Sequence, residues 1–461
     1  MGSRLLPCER TALLASSLAS FLTPFMGAST NVALPSIARD LAIDALGLSW
    51  IATVFLLAAA TFLVPFGRIA DIHGRRRVLA WGIFIYTLGS AASALAPSAA
   101  SLIAARAVQG VGGAMMFGTS VAVLTSVFRP ELRGAALGIN VAAVYLGLSL
   151  GPVLGGILTD HLGWRSIFAV NAALAALTGL IVVSKLEGEW APARGEQMDV
   201  TGSIVYAIAL GALMFGFSRR PGLAGALWIA AGLASLAAFV RLQLVHASPV
   251  LDVRLFTRNR VFGLSNLAAL VNYSATFAVG FLLSLYLQYV RGLSAQEAGL
   301  ILLSQPVVQV IVSPLAGRLS DRVEPRLVAS AGMLLTSVGL LLLAPLTSTT
   351  PKAYIVGCLG VLGAGFGLFS SPNTNAVMAA VESRQYGLAA ATLGTMRLGG
   401  QMLSMGIAML ALSVFVGAVT LSAEHHQGLV AATRATFFAF ALCCLAGTAA
   451  SLARGRRRLA A

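Results

Sequence analysis

The residues with the clearest chemical potential lie in one short hydrophilic stretch, Gly67–Arg77, between two apolar runs that are each about long enough to cross a bilayer. A carboxylate there, Asp71, is followed by a glycine turn and three consecutive arginines. At a helix end such a carboxylate can bond neighbouring arginines and face the positive N-terminus of another helix, which makes a latch that can form and break. The alternative is an ordinary solvated basic loop. The predicted latch residues are Gly67, Asp71, Gly74, Arg75, Arg76 and, in a related later stretch, Asp321.

The later stretch, Gly317–Arg326, is a weaker copy that begins 250 residues after the first. A second similarity links Arg133–Gly138 with the residues around Gly387, at an offset of 253. Two nearly equal offsets from independent places indicate a duplicated chain, and they favour the latch over a plain loop.

Arg106 is an arginine inside an apolar run, which is costly unless the side chain faces a wet or polar interior. Possible polar partners for this side chain are Gln109 on the same helix and Asn140 and Tyr145 on the next one. We therefore expect Arg106 to face the interior. The alternative is an arginine near the membrane surface whose side chain reaches outward to water.

A strip of small residues follows in the next apolar run. Glycines spaced four residues apart make a flat surface for close helix approach, and a proline bends the helix where its neighbours tolerate it. The doubled pattern is far more specific than a single pair of glycines, and it consists of Gly147, Gly151, Pro152, Gly155 and Gly156.

The composition identifies a polytopic membrane protein: 58% of the 461 residues are hydrophobic, 10% are charged, and the mean hydropathy is +0.87. The excess of arginine is what cytoplasmic loops of membrane proteins accumulate, so no nucleic-acid partner is expected. The cysteines and histidines show no metal-site spacing, and neither lysine follows a glycine-rich phosphate loop. No cofactor, no metal site and no enzyme activity are therefore predicted.

Apolar runs of about 20 residues predict an all-α membrane protein with fourteen transmembrane helices. Because the repeat returns eight helices later and not six, two helices are predicted to be inserted between two six-helix bundles. The predicted helices, numbered 1 to 14, cover 12–35, 49–68, 78–97, 100–127, 135–159, 165–184, 200–217, 223–240, 261–289, 296–317, 327–346, 352–378, 388–417 and 428–453.

The predicted domains follow from these helices: an N-terminal bundle over 12–184, a linker with the two added helices over 185–260, a C-terminal bundle over 261–453, and a basic tail over 454–461. Most loop arginines and lysines fall on one side when the N-terminus is placed inside. Both termini are therefore predicted to be cytoplasmic, in a multi-pass protein of the cell membrane.

The latch stretch, the Arg106 motif and the glycine–proline motif together resemble the signatures of the major facilitator superfamily, and the helix count is similar to its fourteen-helix drug/proton antiporter branch. The resemblance covers almost the whole chain and implies two bundles that rock around a central cavity. It implies that predicted helices 1, 4, 9 and 12 line this cavity and that 2, 5, 10 and 13 flank it. The expected substrate-binding residues are Met26, Arg106, Gln109, Asn140, Tyr145, Asn272, Tyr273, Gln305, Gln309, Asn373, Arg397 and Gln401.

One departure from the family pattern concerns charge. The family carries an aspartate in helix 1 where this chain has Met26, and no acidic residue lies in the middle of a predicted helix. A cavity with arginines and no carboxylate is expected to favour anionic or neutral substrates over lipophilic cations. Proton coupling, if it occurs, would then use a carboxylate at a cavity mouth, such as Asp160 or Asp199, or protons that move with the substrate.

The predicted function is secondary active efflux of amphiphilic drugs or small organic compounds, linked to protons. The alternatives are a transporter of one neutral or anionic metabolite, or a sensor that has lost transport. A channel is disfavoured because no ring of repeated charge is present. The expected partners are a small-molecule substrate, the lipid bilayer and protons as a candidate coupling ion, and a monomer is expected.

Overall fold

The computed structural model describes residues 6–219, 222–246, 249–251, 253–382 and 386–454; of these, the side chains of Pro130, Glu131, Asp321, Tyr386 and Gly387 lie outside the description. Within these ranges the chain is helical and contains no strand. The predicted basic tail lies outside the described residues except for Arg454.

Several helices, such as α1, α2 and α5, are longer than their apolar runs because they continue into polar residues at the ends. Their bounds are α1 Pro7–Leu41, α2 Ala45–His73, α3 Arg75–Ala94, α4 Ala99–Val127, α5 Pro130–Leu162, α6 Arg165–Lys185, α7 Val200–Phe217, α8 Leu223–Val245, α9 Arg254–Arg258, α10 Arg260–Leu285, α11 Ala295–Leu302, α12 Ser304–Arg322, α13 Pro325–Leu343, α14 Lys352–Ala379, α15 Tyr386–Phe415 and α16 His426–Leu452.

The predicted helices correspond to these elements with three local differences. Predicted helix 9 is α10 extended by a π-helical turn, Tyr286–Val290, and predicted helix 10 is divided into α11 and α12. The five-residue helix α9 was not predicted. Predicted helices 11 to 14 are α13 to α16.

The predicted number of fourteen transmembrane helices is not confirmed. Thirteen helices of the described chain are long and apolar enough to cross a membrane. The predicted span that falls short is α3, because it begins with three arginines, Arg75–Arg77, that take up part of its 20 residues.

The chain divides into two compact units. Unit 1 comprises Met1–Ile43, Gly47–Ala212 and Ala231–Leu251, and unit 2 comprises Asp44–Leu46, Leu213–Ala230 and Asp252–Ala461. The division passes through α7 and α8. Inside unit 1, α1 packs on α5, α4 and α6, and α3 packs on α4 and α6. Inside unit 2, α10 packs in the same way on α15, α14 and α16, and α13 on α14 and α16.

Glycines at equivalent positions make the same close contact in each unit. A Cβ on Gly112 of α4 would lie 2.4 Å from the backbone nitrogen of Tyr86 on α3. A Cβ on Gly365 of α14, 253 residues later, would lie 2.6 Å from the backbone nitrogen of Thr336 on α13. Each helix pair can approach this closely only where the side chain is a hydrogen atom. This repetition supports the predicted duplication.

Candidate functional site

The latch stretch is held by an ion pair. The guanidinium of Arg75 lies 2.8 Å from a carboxylate oxygen of Asp71, and the same arginine donates to the Ser126 hydroxyl at 2.7 Å and to the Ala122 carbonyl at 3.2 Å, both on α4. Gly74 between them has φ +115°, a conformation that side-chain-bearing residues rarely adopt. The turn thus joins the C-terminal ends of α2 and α4 to the start of α3.

The linker segment, defined here as residues 186–199 between α6 and α7, packs over this turn. The Glu189 carboxylate accepts hydrogen bonds from the backbone nitrogens of Arg76 at 2.9 Å and Arg77 at 3.2 Å. Its position is that of an N-terminal cap on α3, where a negative charge is stabilised by the helix dipole. A Cβ on Gly74 would lie 2.4 Å from the carboxyl carbon of Glu189, so the glycine leaves room for the cap.

Two more contacts tie the linker segment to the latch stretch. The backbone nitrogen of Arg75 donates to the Trp190 carbonyl at 2.9 Å, and Arg68 pairs with Glu196 at 2.5 Å. Sequence reasoning missed these contacts because it treated the segment only as a connection. The available signal was that this segment is rich in acids (Glu187, Glu189, Glu196 and Asp199) while the latch stretch is rich in arginine.

For the other predicted latch residues, Gly67 and Asp321, the described part of the structure gives no contact that tests the latch. Gly67 lies in α2, where no described atom would come within 4 Å of an added Cβ. Asp321 lies near the end of α12, but its side chain is outside the description. In the same copy Arg326 pairs with Glu324 at 2.5 Å.

Arg106 is buried inside unit 1, with 1% of its surface exposed. Its Nη1 donates to the side-chain oxygen of Gln109, and its Nε donates to the Ile51 carbonyl on α2 at 3.3 Å. The guanidinium also lies over the ring of Phe55, 4.6 Å from the centroid. The structure therefore brings Arg106 and Gln109 together as predicted, and satisfies the charge with dipoles and an aromatic ring.

The network continues from Gln109 into α3 and α6. The Gln109 amide donates to the Ser90 hydroxyl at 2.6 Å, and Ser90 donates to the Tyr86 carbonyl at 2.8 Å. The Tyr86 hydroxyl donates to the Leu22 carbonyl at 3.2 Å and accepts from Asn171 at 2.9 Å. Sequence reasoning did not find Ser90 or Tyr86, since a serine and a tyrosine in an apolar helix carry no distinctive spacing.

Asn140 does not join the Arg106 network. Its amide donates to the Ser16 carbonyl at 3.0 Å and to the Ser20 hydroxyl at 2.9 Å, both on α1. Tyr145 is half-buried on α5, and Met26 is completely buried on α1. The Asn140 amide, which was expected near Arg106, is instead directed towards α1.

The glycine strip of α5 packs directly on α1. Added Cβ atoms on Gly147, Gly151 and Gly155 would each lie 2.6 Å from an atom of α1. The Ser29 hydroxyl of α1 donates to the Gly151 carbonyl at 2.9 Å. Pro152 and Gly156 are buried in the same helix. The strip brings the two backbones together as its residue types predict.

In unit 2 a cluster forms around Arg397 of α15. Its Nη2 donates to the Thr374 hydroxyl of α14 at 2.8 Å, and its guanidinium carbon lies 5.7 Å from the ring centroid of Tyr273 on α10. The Tyr273 ring meets the Phe366 ring edge to face, with centroids 5.1 Å apart. We call Arg397, Thr374, Tyr273 and Phe366 the Arg397 cluster.

The remaining predicted polar residues of unit 2 are dispersed. The buried Asn272 accepts from Cys444 on α16 at 3.9 Å, and the buried Asn373 donates to the Ser265 carbonyl on α10 at 3.2 Å. Gln309 is buried, and its amide nitrogen has no hydrogen-bond partner among the described residues. Gln305 and Gln401 are half-buried. Among the substrate-binding residues predicted for unit 2, the hydrogen bonds and ring contacts of the described residues join only Tyr273 and Arg397 to each other.

Among the acidic residues considered for proton coupling, Asp199 is buried at the start of α7. Its carboxylate accepts from the Gly202 backbone nitrogen at 2.7 Å and from the Gln243 amide of α8 at 2.6 Å, and His246 lies 3.8 Å away. In the described part of the chain, no group of three or more histidine, cysteine or acidic side chains could hold a metal ion.

Comparison with known proteins gives consistent results. The Major Facilitator Superfamily model matches residues 16–265 and again 265–459. The multidrug resistance protein Stp of Mycobacterium tuberculosis is 34% identical over 90% of this chain and 77% of its own. The methyl viologen resistance protein SmvA of Salmonella typhimurium is 31% identical over 78% of this chain and 74% of its own.

A solved structure has the same fold. The crystal structure of a bacterial homolog to the human lysosomal transporter Spinster, inward-facing and unoccupied, superimposes with a TM-score of 0.72 over 98% of each chain. The two sequences are 16% identical, so the likeness concerns the fold alone.

Proposed function

The chain belongs to the major facilitator superfamily and is a multi-pass membrane transporter, not an enzyme, and on that basis we propose that it exports amphiphilic drugs or small organic compounds. Transport would proceed by alternating access, in which the substrate site opens to one side of the membrane at a time. The resistance proteins similar to this chain support export of compounds harmful to the cell.

The observation that carries this proposal is the contact between α1 and the glycine strip of α5. The strip resembles the antiporter motif of exporters, and its glycines pack so closely on backbone and Cβ atoms of α1 that an added Cβ would lie only 2.6 Å from them, which leaves no room for a side chain. Because Phe21 meets Gly147 with its backbone carbonyl, neither side can yield by changing a rotamer. Gly147→Ala should therefore disturb a contact that transport requires.

The experiment is a drug-susceptibility panel in a sensitive strain that expresses this chain, with and without a protonophore. Wild type should confer resistance that the protonophore abolishes, and Gly147→Ala should lose it. Gly138→Ala is the matched control on the same helix, because no described atom would lie within 4 Å of its Cβ. Protein levels in the membrane separate lost folding from lost transport. Absence of saturable transport by wild type in reconstituted vesicles would contradict the proposal.

Proton linkage is the finer part of the proposal. Asp199 is a candidate carrier because its buried carboxylate lies beside His246, and Asp160 is the candidate at the outer end of α5. Substrate-driven pH change in proteoliposomes should be lost in Asp199→Asn or in Asp160→Asn. No pH change with wild type, despite substrate transport, would contradict proton linkage.

We also propose the arrangement that the sequence predicts. Residues 12–184 and 261–453 would form the two transport bundles, residues 185–260 would be inserted between them, and α3 would be the fourteenth span. The protein would be a monomer in the cell membrane, with both termini in the cytoplasm. Asp71 and Arg75 would form the latch. The substrate-binding roles expected from the sequence remain predictions.

A second candidate function is transport of one neutral or anionic metabolite. The residue that favours it is Met26, which is buried and uncharged where the family carries an aspartate. A third, transport-deficient sensing, would be recognised by ligand binding to the purified chain without ligand movement across vesicles.

A further inference from the structure

We propose that the Arg397 cluster is the binding site for an aromatic organic anion, whose acidic group pairs with Arg397 and whose ring packs on Tyr273 and Phe366. The inference rests on the proposed function, since it names the substrate class. It also assigns different roles to Arg106 and Arg397, the two arginines inside apolar helices that the sequence singles out.

The first argument is the position of the charge. Arg397 lies in the span Leu388–Phe415, nine residues after its start, which is about 14 Å along a helix. The carboxylates in the described spans of unit 2 are Glu297 and Glu424, both near the first residue of their span, and Glu297 lies 3.3 Å from Lys352. No mid-span carboxylate of this unit therefore neutralises Arg397, and an intramembrane cation without a counter-charge is costly.

The second argument is the hydrogen bonding of the guanidinium. Nη2 donates to Thr374, whose hydroxyl in turn donates to the Ser370 carbonyl at 2.8 Å. Nε is buried and has no hydrogen-bond partner among the described residues. Nε and Nη2 form the edge of a guanidinium that a carboxylate can engage through two parallel hydrogen bonds. Thr374 thus orients the group and leaves a donor for an anion.

The third argument is the aromatic surface next to this charge. Tyr273 contacts both the guanidinium and Phe366, and the two rings stand at 87° to each other. Arg397 and Tyr273 are half-buried, and Phe366 is 8% exposed, so Tyr273 offers the main contact surface. A planar ring attached to the acidic group can therefore contact the rings while its charge meets Arg397, which adds stabilisation beyond area burial.

Arg106 does not offer the same opportunity. It is 1% exposed, and Gln109 and Ile51 accept its hydrogen bonds. We infer that Arg106 organises unit 1, and that Arg397 is the arginine that meets substrate.

The test uses three naphthalene probes of the same shape: 2-naphthoate, the neutral 2-naphthamide, and the cation 2-naphthyltrimethylammonium. Equilibrium binding to the purified full chain and uptake into proteoliposomes are measured for wild type, Arg397→Gln, Arg397→Lys and Tyr273→Leu. Arg434→Gln is the matched control, because Arg434 lies in a span of the same unit but is exposed.

Wild type should prefer 2-naphthoate to the cation. Arg397→Gln should weaken 2-naphthoate binding by about 30-fold or more, as expected for loss of one partner of a desolvated charge pair. Its binding of 2-naphthamide should change by less than about threefold, and Arg397→Lys should restore only part of the naphthoate affinity, since a lysine cannot bind side-on through two nitrogens. Tyr273→Leu should weaken both naphthoate and naphthamide, and Arg434→Gln should change neither.

Unchanged naphthoate binding in Arg397→Gln, or preference of wild type for the cation, would overturn the inference while leaving export intact. If wild type binds the probes but moves none of them or any panel drug, the proposed function fails and the site assignment is judged by binding alone. Equal weakening of all three probes in Arg397→Gln would show a structural role and would also overturn the inference.

Discussion

The two copies of the repeat use the same helix contacts with different polar content. In unit 1, α4 carries Arg106 and Gln109 against Ser90 of α3. The positions 253 residues later are Leu359 and Leu362, and the position 250 residues after Ser90 is Leu340; all three leucines are buried.

The glycine contacts around these positions are nevertheless equivalent. A Cβ on Gly89 would lie 2.6 Å from the backbone nitrogen of Gln109, and a Cβ on Gly339 would lie 2.8 Å from the side chain of Leu362 and 3.2 Å from its backbone nitrogen. The difference shows that small residues determine how closely the helices pack, while the polar network is an addition that one copy has and the other replaces with leucine. In unit 2, Arg397 lies on another helix, α15, and its Nε has no hydrogen-bond partner among the described residues.

The largest expected effect comes from replacing Gln109, in the Arg106 network of unit 1, with leucine, the residue at the equivalent position of unit 2. Gln109→Leu removes the acceptor of the Arg106 Nη1 and leaves a buried charge with fewer partners, so unfolding free energy should fall by about 3 kcal/mol or more. The double variant Arg106→Leu/Gln109→Leu, which matches Leu359 and Leu362, should regain at least about 1 kcal/mol of that loss because no buried charge remains. Thermal unfolding in detergent measures both.

A double variant that is less stable than the single one would break this interpretation. It would mean that the arginine contributes packing that leucine cannot replace.

The next effect tests whether Gly112 in unit 1 and Gly365 in unit 2 make equivalent packing contacts. Gly112→Ala and Gly365→Ala place a methyl group against backbone atoms in each unit, and both should lower stability by about 1–3 kcal/mol. Gly357→Ala is the control, since its Cβ would have no described atom within 4 Å and the change should stay within about 0.5 kcal/mol. A tolerated substitution in one unit alone would contradict equivalent packing.

A smaller effect concerns the Glu189 cap on α3. In the described residues, the start of α13 has no side-chain cap of this kind. Glu189→Gln removes the charge near the helix N-terminus and should cost about 0.5–1 kcal/mol. Hydrogen exchange at the Arg76 and Arg77 amides should become faster. Glu187→Gln, an exposed acid two residues earlier, should leave the exchange unchanged; an equal response of both variants would argue against a specific cap.

The smallest effect is that of the ion pair between Arg68 and Glu196. Arg68→Gln should cost less than about 1 kcal/mol, and the difference should disappear in high salt because the pair is partly exposed. Arg318, 250 residues later, is exposed, and Arg318→Gln should have no salt-dependent effect. A salt-dependent loss of equal size in both variants would remove this distinction between the copies.

The sequence was sufficient for the membrane class, the helical fold and the buried position of Arg106, because hydropathy and a charge inside an apolar run are local signals. It could not give the partners of Asn140, which depend on how α5 is rotated against α1. Nor could it give the docking of residues 186–199, since Glu189 meets α3 more than a hundred residues away in sequence. The predicted count of fourteen spans is not confirmed, because three arginines occupy the start of α3 and leave it short of the hydropathy of the other thirteen.

The most direct test of the central claim, that Arg397 meets substrate while Arg106 organises unit 1, is ligand-induced thermal stabilisation by 2-naphthoate. The melting temperature should rise with ligand in wild type and in Arg106→Leu/Gln109→Leu, and should not rise in Arg397→Gln. A rise in Arg397→Gln equal to that of wild type, or no rise in Arg106→Leu/Gln109→Leu, would contradict the claim.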